Sequence, residues 1–422
     1  MALVLAAIAI GKAEAELPDR DRNFYKVMVI LGIESSCDDT SIALVEAVET
    51  PPQPSPLESL GTGSTRGGSF RVLAEKTASQ IDIHKKYGGV VPEVAARMHA
   101  EAIVPVIEEV ISSYIKQSAS SLASAIAETP PLPSPTRGGI YQTFKPDAIA
   151  VTSGPGLITS LIVGVEAAKT LSYLWDVPLV GVNHIEGHIH SVEIPNPKSQ
   201  IPNPIEFPTL CLVVSGGHTE LILMKDHGVY KRIGATRDDA AGECFDKVAK
   251  LLGLEYPGGP KISKLATKGN SSAIQFPRPM LREDNLDFSF AGLKTAALYW
   301  LRDHPVKESG IWNLEFGITL NDFCASFEQA VVDVLVTKTL RAAELYRPKS
   351  IILAGGVAAN KKLRESLQQA IKQKIPDSRF QIPDSQYCMD NAAMIAVAGY
   401  YHALKKEYTN WKKIEVDPNW NL

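Results

Sequence analysis

The chain has 422 residues, of which 45% are hydrophobic and 21% are charged, and its formal net charge at pH 7 is −4. These values are typical of soluble globular proteins and exclude a chain that is disordered throughout. The acidic balance argues against a broadly basic nucleic-acid-binding surface but is compatible with a local basic patch. Five scattered cysteines without a CxxC pair indicate a reducing compartment, and we predict a cytoplasmic protein.

No apolar run reaches the ~18 residues of a membrane-spanning helix, so no membrane association is expected. The segment Met1–Ile10 is apolar but short, and no positive charge precedes it. A secretory signal is one interpretation, because Ala13-Glu14-Ala15 resembles a cleavage site. We favour the other interpretation, in which residues 1–27 are a disordered or dispensable extension.

The first predicted element is a hairpin. Val27–Ile33 is a continuous apolar run typical of a buried strand, and Ile42–Val45 is a second one. The turn between them is rich in hydroxyls and carboxylates, so it suits a phosphate, or a cation held by Asp38 or Asp39. An ordinary Ser/Asp-rich turn is the alternative.

Two Pro/Ser/Gly-rich segments, near residues 49–70 and 118–144, carry almost the same sequence. A near-copy at two places predicts inserted surface loops without a function of their own. Between them, an amphipathic helix is predicted from about Val94 to Tyr114. A strand at Asp147–Thr152, a Gly-rich turn and a helix to about Trp175 then form a weak phosphate-binding candidate, although the turn is neither a P-loop nor GxGxxG.

A strand at Val177–Val182 leads into the histidine-rich sequence His184-Ile185-Glu186-Gly187-His188-Ile189-His190. On a helix, His184 and His188 lie one turn apart and point the same way, so both imidazoles can bind one metal ion. His190 follows His188 by two residues and faces away, so we predict a structural role for it.

A second hairpin is predicted at Thr209–Met224, with the polar tip Ser215–Glu220. It repeats the design of the first hairpin, and strand–helix units follow both. This pattern predicts a duplicated α/β domain with a nucleotide in the cleft between the copies.

The remaining candidates lie on later elements. A helix is predicted over Thr236–Leu254. On it, Asp246 either binds ribose hydroxyls or lies on a solvated face. Asn360, at a helix start after a Gly-Gly turn, either caps that helix or contacts a ligand. Asp390 is either a helix cap or an oxygen ligand for the histidine pair. Five basic residues without an intervening acid form the best candidate for a polyanion-binding patch: Lys261, Lys264, Lys268, Arg278 and Arg282.

Taken together, these motifs resemble the bacterial-type tRNA N6-adenosine threonylcarbamoyltransferases of the actin/hexokinase/Hsp70-like ATPase superfamily. The matching residues, in family order, are Gly32–Thr40, Gly88–Glu93, Ser153–Leu157, His184–His188, Val214–Thr219, Asp239–Glu243, Phe245–Lys247, Tyr256–Pro260, Phe288–Thr295, Ala354–Asn360 and Asp390-Asn391.

The resemblance implies an α/β fold with two duplicated actin-like (ASKHA) domains and a nucleotide and metal cleft between them. We expect an N-terminal domain at residues 28–206, a C-terminal domain at 207–390, and a helix and tail at 391–422 that return to the first domain. The activity implied is transfer of a threonylcarbamoyl group from threonylcarbamoyl-AMP to N6 of adenosine 37, in tRNAs that read codons starting with A.

The resemblance also implies roles for individual residues. His184, His188 and Asp390 would hold one metal ion, most often Fe(2+) in the family, with Zn or Mn as alternatives. Asp38 and Asp39 would be catalytic, although the family often has Asp-Glu there and Asp39 is one methylene shorter. The adenylate would contact Val213, Val214, Ser215, Gly216, Gly217, Asp246, Gly259 and Asn360. The implied partners are tRNA, a paralogous subunit and a small ATPase.

Three rival functions follow from parts of the pattern. The His-x-x-x-His spacing allows a metalloprotease, but Glu186 is not directly after the first histidine as in HExxH. A small-molecule kinase of the same superfamily leaves the histidine pair unexplained. A catalytically dead partner subunit should have lost the histidines and Asp390, which this chain retains.

Overall fold

The computed structural model describes residues 26–50, 67–125, 144–195, 205–304 and 318–422. Most of the predicted N-terminal extension and of the repeated Pro/Ser-rich segments falls outside these ranges. Within them, no helix combines the length and apolar character needed to cross a bilayer.

The strands of the described chain form two five-stranded sheets. The first sheet has the order β3-β2-β1-β4-β5 and the second the order β10-β9-β6-β7-β8. The bounds are β1 Val27–Glu34, β2 Asp39–Thr50, β3 Gly67–Ser79, β4 Ala148–Gly154, β5 Leu179–Asn183, β6 Thr209–Val214, β7 Thr219–Asp226, β8 Val229–Ala235, β9 Ser350–Ala354 and β10 Arg379–Gln381.

The two sheets have the same connectivity. In each, three consecutive strands pair antiparallel, and the first of them then pairs parallel with the fourth. The fifth strand adds parallel to the fourth at the far edge. Because strand order and direction match position by position, the predicted duplication is present at the level of topology.

Helices lie between and after these strands. Their bounds are α1 Ile81–His84, α2 Pro92–Ala125, α3 Ile158–Trp175, α4 His184–His190, α5 Ala241–Leu251, α6 Gly259–Ala266, α7 Ala291–Asp303, α8 Leu320–Tyr346, α9 Lys361–Lys374 and α10 Ala392–Leu404.

The first sheet is covered on both faces, which explains the continuous apolar runs of its central strands. Helices α2 and α3 pack on one face and α10 on the other. Close packing of α10 depends on glycine, because a Cβ on Gly32 would overlap the carbonyl oxygen of Ala392. Helix α10 comes from the C-terminal end of the chain and yet covers the N-terminal sheet.

The second sheet shows the converse arrangement. Leu210, Leu212 and Val214 face a core formed with the later helices, including α5, α8 and α9. Cys211 and Val213 face the opposite way and pack with Ile185 and Ile189 of α4. Helices α4 and α10 also contact each other. The two helices therefore form a central layer between the sheets, and the start of each lies at the cleft.

The C-terminal tail runs back along the first half of the chain. Thr409 pairs with Leu179 of β5, and the amide of Asp417 donates to the carbonyl of Ser153. Gly156 N then donates to Pro418 O at 3.3 Å. The last residues thus lie against the turn that follows β4.

Three predicted boundaries are wrong. Strand β2 continues to Thr50 and β3 begins at Gly67, so both ends of the predicted 49–70 insertion are paired strand. Helix α2 continues to Ala125 rather than ending near Tyr114. Helix α5 begins at Ala241 rather than Thr236, because the carboxylate of Asp238 instead accepts from the amides that start α7.

Candidate metal centre and nucleotide cleft

Two imidazoles and one carboxylate converge in the centre of the molecule. The Nε2 atoms of His184 and His188 lie 3.5 and 3.2 Å from Oδ1 of Asp390. The three potential ligand atoms lie within 4.8 Å of one another. The structure therefore brings together the three residues for which a metal-binding role was predicted, although Asp390 lies about 200 residues after the histidines.

The start of helix α4 fixes the histidine pair. Asn183 is its N-cap, and the side-chain Oδ1 accepts from the amides of Ile185 and Glu186. The Nδ2 group of Asn183 donates to the carbonyl of Trp420 in the C-terminal tail. With the helix start held in this way, His184 and His188 lie one turn apart, with their rings edge to face and the ring centroids 4.6 Å from each other.

The buried Glu34, at the end of β1, orients His184. Its Oε2 lies 3.1 Å from His184 Nδ1 and also accepts from the hydroxyl of Thr152. The carboxylate thereby keeps the proton of His184 on Nδ1 and leaves the lone pair of Nε2 for a cation, an arrangement common at metal sites. Burial lowers the pKa of His184, but the carboxylates of Glu34 and Asp390 outweigh it and hold that pKa well above its ordinary value.

The other candidate ligand, Asp390, precedes helix α10. Asn391, not Asp390, caps this helix by accepting from the amide of Met394. The next amide, of Ala392, donates to the hydroxyl of Ser41 in β2. Asp390 is therefore held just before a helix N-terminus with its carboxylate directed to the histidines. Burial raises its pKa, but His184 and His188 reverse the effect and hold the pKa of Asp390 well below its usual range.

The donor set fits a divalent transition metal. Neither ring nitrogen of the buried His188 makes a hydrogen bond of good geometry within the described chain, although Nε2 lies 3.2 Å from Asp390 Oδ1. Burial lowers the pKa of His188, which favours the neutral form that binds metals. Two imidazoles and a carboxylate suit iron, zinc and manganese alike. A metal ion bound beside His184 and Asp390 would give the buried imidazole of His188 a partner.

The first hairpin tip carries Asp38 and Asp39. Oδ1 of Asp39 is buried without a hydrogen-bond partner among the described residues, and burial raises the pKa of this carboxyl to about 7. Burial also raises the pKa of Asp38, whose Oδ2 lies 3.4 Å from the Tyr256 hydroxyl. Because Tyr256 belongs to the second half of the chain, this contact bridges the cleft.

The second hairpin tip supplies the predicted adenylate contacts Val213, Val214, Ser215, Gly216 and Gly217. Both valine side chains are fully buried in the cores, so these positions offer a ligand only their backbone. Gly216 and Gly217 are exposed, and a Cβ at either would meet no atom within 4 Å. The tip is therefore an open backbone surface on a rigid base.

Three other predicted contacts have structural partners. Oδ1 of Asp246 accepts from the amides of Gly258 and Gly259 and so holds the start of α6. Asn360 caps α9 through Leu363 N, and its Nδ2 donates to Ser263 and Glu328. Of the alternatives left open for Asn360, the structure shows the helix cap.

The predicted basic patch is partly neutralised. Lys261 pairs with Glu255 at 2.8 Å, and Arg278 pairs with Asp333 at the same distance. The stretch from Lys261 to Arg282 is therefore less positive than its composition indicates.

Sequence reasoning missed the residues that position the candidate ligands. Glu34 and Asn183 assume this role only in the folded chain, where strand ends and a helix start meet. His99 is a third case, because it bonds the carbonyl of Cys37 and the hydroxyl of Thr40 and so fixes the first hairpin tip. The sequence did offer one signal for Glu34 and Asn183. Each ends a strand directly before a motif, the first hairpin tip for Glu34 and the histidine-rich sequence for Asn183.

The fold and the site define a class: an α/β protein of two actin-like domains, with a candidate metal centre in the cleft between them. The family described as "TsaD: tRNA N6-adenosine threonylcarbamoyltransferase" matches residues 71–130 and 142–397. The chain belongs to this family and is a transferase that modifies tRNA, as its sequence predicted.

Curated relatives agree over nearly the whole chain. A tRNA N6-adenosine threonylcarbamoyltransferase of Geobacillus kaustophilus is 45% identical over 370 residues, which cover 88% of this chain and 90% of the relative. One of Bacillus cereus is 44% identical over 375 residues, covering 89% and 91%. Among solved structures, HypF of T. kodakarensis has a TM-score of 0.52 at 12% identity, over 93% of this chain and 50% of that chain. This last similarity concerns the fold alone.

Proposed function

We propose that the chain transfers the threonylcarbamoyl group of threonylcarbamoyl-AMP to N6 of adenosine 37, in tRNAs that read codons starting with A. The observation that carries the proposal is the convergence of His184, His188 and Asp390 at the cleft, beside the two polar hairpin tips. Family membership supplies the reaction class, and the geometry supplies a place for it.

The chemistry is acyl transfer to a weakly nucleophilic aromatic amine. The N6–carbonyl carbon bond forms, the bond from that carbon to the phosphate oxygen breaks, and AMP leaves. A divalent metal ion, Fe(2+) in our proposal, held by His184, His188 and Asp390 would supply Lewis acidity toward the carbonyl or the leaving phosphate. The open backbone of Ser215–Gly217 is suited to hold the adenylate, and a fixed donor gains from proximity to the acceptor.

The proton released from N6 needs an acceptor. Asp39 suits this role in our proposal, because its pKa of about 7 matches neutral conditions and its Oδ1 is unpartnered in the described structure. Asp38 is paired with Tyr256 and would instead help to hold the cleft closed over the donor.

The family relationship further supports tRNA as the acceptor. We propose a paralogous subunit and a small ATPase as partners. A broadly basic face is not needed if partners share the task of tRNA binding, since electrostatic contacts to phosphates are additive.

The rival functions fit less well. A metalloprotease needs a carboxylate base at the metal, but Glu186 is bonded to Tyr230 at 2.8 Å and to His402 at 2.9 Å. A small-molecule kinase does not require the buried pair of imidazoles. Neither alternative is favoured by an observation of its own.

The test is mass spectrometry of nucleosides from a matched tRNA, incubated with the chain, its partners and threonylcarbamoyl-AMP. We expect threonylcarbamoyladenosine from the wild-type tRNA and none from a tRNA in which adenosine 37 is replaced by guanosine. Product from the substituted tRNA would contradict the proposed position. Its absence from both, with a relative of known activity as the control enzyme, would contradict the proposed reaction.

A further inference from the structure

A second cluster of potential metal ligands lies on the other side of helix α4. Ligand atoms of His190, Glu193 and His227 lie within 4.8 Å of one another. His190 and His227 are buried, and Glu193 is largely covered. We propose that these three side chains bind a second divalent transition-metal ion of the Zn²⁺ type, at a site separate from the His184, His188 and Asp390 centre.

A hydrogen-bond chain selects the ligating nitrogen of His190. The hydroxyl of Tyr230 donates to Oε1 of Glu186 at 2.8 Å, so its oxygen accepts from His190 Nε2 at 2.9 Å. Nδ1, on the opposite edge of the ring, is then the nitrogen that would bind a metal ion. A ligating histidine whose other nitrogen donates to an oxygen is the usual pattern at metal sites.

The carboxylate of Glu193 lies at that edge. Its Oε2 is 2.6 Å from His190 Nδ1, and its Oε1 accepts from the Tyr401 hydroxyl at 2.7 Å. A metal ion held by both groups would lie between these two atoms, which would move apart to the spacing of metal ligands.

The third ligand is the buried His227, in the turn between β7 and β8. Its Nδ1 has no hydrogen-bond partner within the described residues, and only 7% of the residue is exposed. Its ring stacks on Tyr401, with centroids 3.8 Å apart. Burial lowers the pKa of His227 to about 4, so the imidazole is neutral near pH 7. An orphaned neutral imidazole beside a histidine and a carboxylate is an available metal ligand.

The donor chemistry defines the class of ion. Two imidazoles and one carboxylate bind zinc and similar metals, with a fourth position for water, whereas Mg²⁺ takes oxygen ligands. The ion would also join two parts of the fold. His190 is the last residue of α4, the helix that follows the first sheet, and Glu193 comes three residues later. His227 lies on the hairpin of the second sheet. Metal binding here would therefore stabilise the packing of the two halves.

The experiment counts metal ions in full-length protein from which the first centre has been removed. In a His184→Ala/Asp390→Ala background, we expect one Zn²⁺ per chain after dialysis against excess Zn²⁺ and gel filtration. Adding His227→Phe should reduce this to near zero. Phenylalanine retains an aromatic ring stacked on Tyr401. No hydrogen bond of Nδ1 is lost, because Nδ1 of His227 makes none within the described residues. Co²⁺ should give an absorption spectrum of a nitrogen- and oxygen-ligated ion, and Mg²⁺ should not bind.

A second comparison does not depend on the double variant. Wild-type protein should bind two Zn²⁺ ions and the single variant His227→Phe one, with equal circular dichroism spectra. Zn²⁺ should also raise the Tm of the double-variant background, and His227→Phe should abolish that rise. Equal metal content with and without His227→Phe, or one ion in wild type and none in the background, would overturn the proposal.

Discussion

The buried carboxylate of Glu34 is one of two that control the protonation of His184, the other being Asp390. Glu34 bonds His184 Nδ1 and is itself held by the amide of Ser36 at 2.6 Å and by Thr152. Because burial would otherwise raise its pKa, the lowered pKa of Glu34 reflects its interaction with His184. A neutral side chain of the same shape would keep the packing and lose the charge.

We expect Glu34→Gln to weaken metal affinity by roughly 10- to 100-fold, the usual effect of removing a group that orients a metal ligand. The measurement is the dissociation constant from competition with a chelator. Glu46→Gln is the matched control, because Glu46 pairs with Arg71 at the surface of the same sheet. Equal affinities for Glu34→Gln and wild type would show that the carboxylate does not support the metal.

The raised pKa of Asp39 predicts that the stability of the protein depends on pH. Its folded pKa of about 7 lies above the ordinary 3.8, so the folded protein retains a proton that the unfolded chain has released. Stability therefore falls as pH rises from about 4 to 7 and remains reduced above that. In metal-free protein, Asp39→Asn should raise the Tm by several degrees at pH 8 and little at pH 4. The exposed Asp377→Asn is the control, and an equal Tm shift at both pH values would refute the burial argument.

At the scale of elements, the site depends on two helix starts. Asn183 caps α4 before His184, and Asn391 caps α10 after Asp390. The carboxamide of Asn391 also donates to the carbonyl of Met389 at 2.8 Å. Each cap satisfies the free amides of its helix and simultaneously fixes a candidate metal ligand that is its sequence neighbour.

Asn391→Ala should lower the free energy of unfolding by about 1 kcal/mol, the usual value of an N-cap. It should also weaken metal binding, because Asp390 loses its anchored neighbour. Urea unfolding and metal titration measure the two effects. Asn391→Asp retains the acceptor for Met394 N and should recover most of the stability. An Asn391→Ala protein as stable as wild type would show that the cap does not hold this helix.

The strands differ in how well the sequence predicts them. Buried strands such as β1 and β6 were predicted because both faces are covered and the apolar run is continuous. Strands β3 and β8 were missed, since each lies at a sheet edge with many exposed residues and no such run. The pairing of an edge strand is set by its neighbour, which sequence periodicity does not reveal.

At the scale of the whole molecule, each half of the chain contributes a helix that packs on the sheet of the other half. Helix α4 follows β5 of the first sheet and packs on the second, whereas α10 ends the second half and packs on the first. This crossing places the His184–His188 pair and Asp390 at one point. The spacing of the histidines predicted half of the site from local periodicity. The assignment of Asp390 needed the family resemblance, because tertiary contacts between distant segments have no local signature.

The central claim is that the three converging ligands hold a metal ion required for tRNA modification. The most direct measurement determines bound metal and threonylcarbamoyladenosine in parallel for wild type, Asp390→Ala and the surface control Asp377→Ala, with partners present. We predict that Asp390→Ala loses both the metal of this centre and the product, with an unchanged circular dichroism spectrum, while Asp377→Ala retains both. Full product formation by folded Asp390→Ala protein would contradict the account.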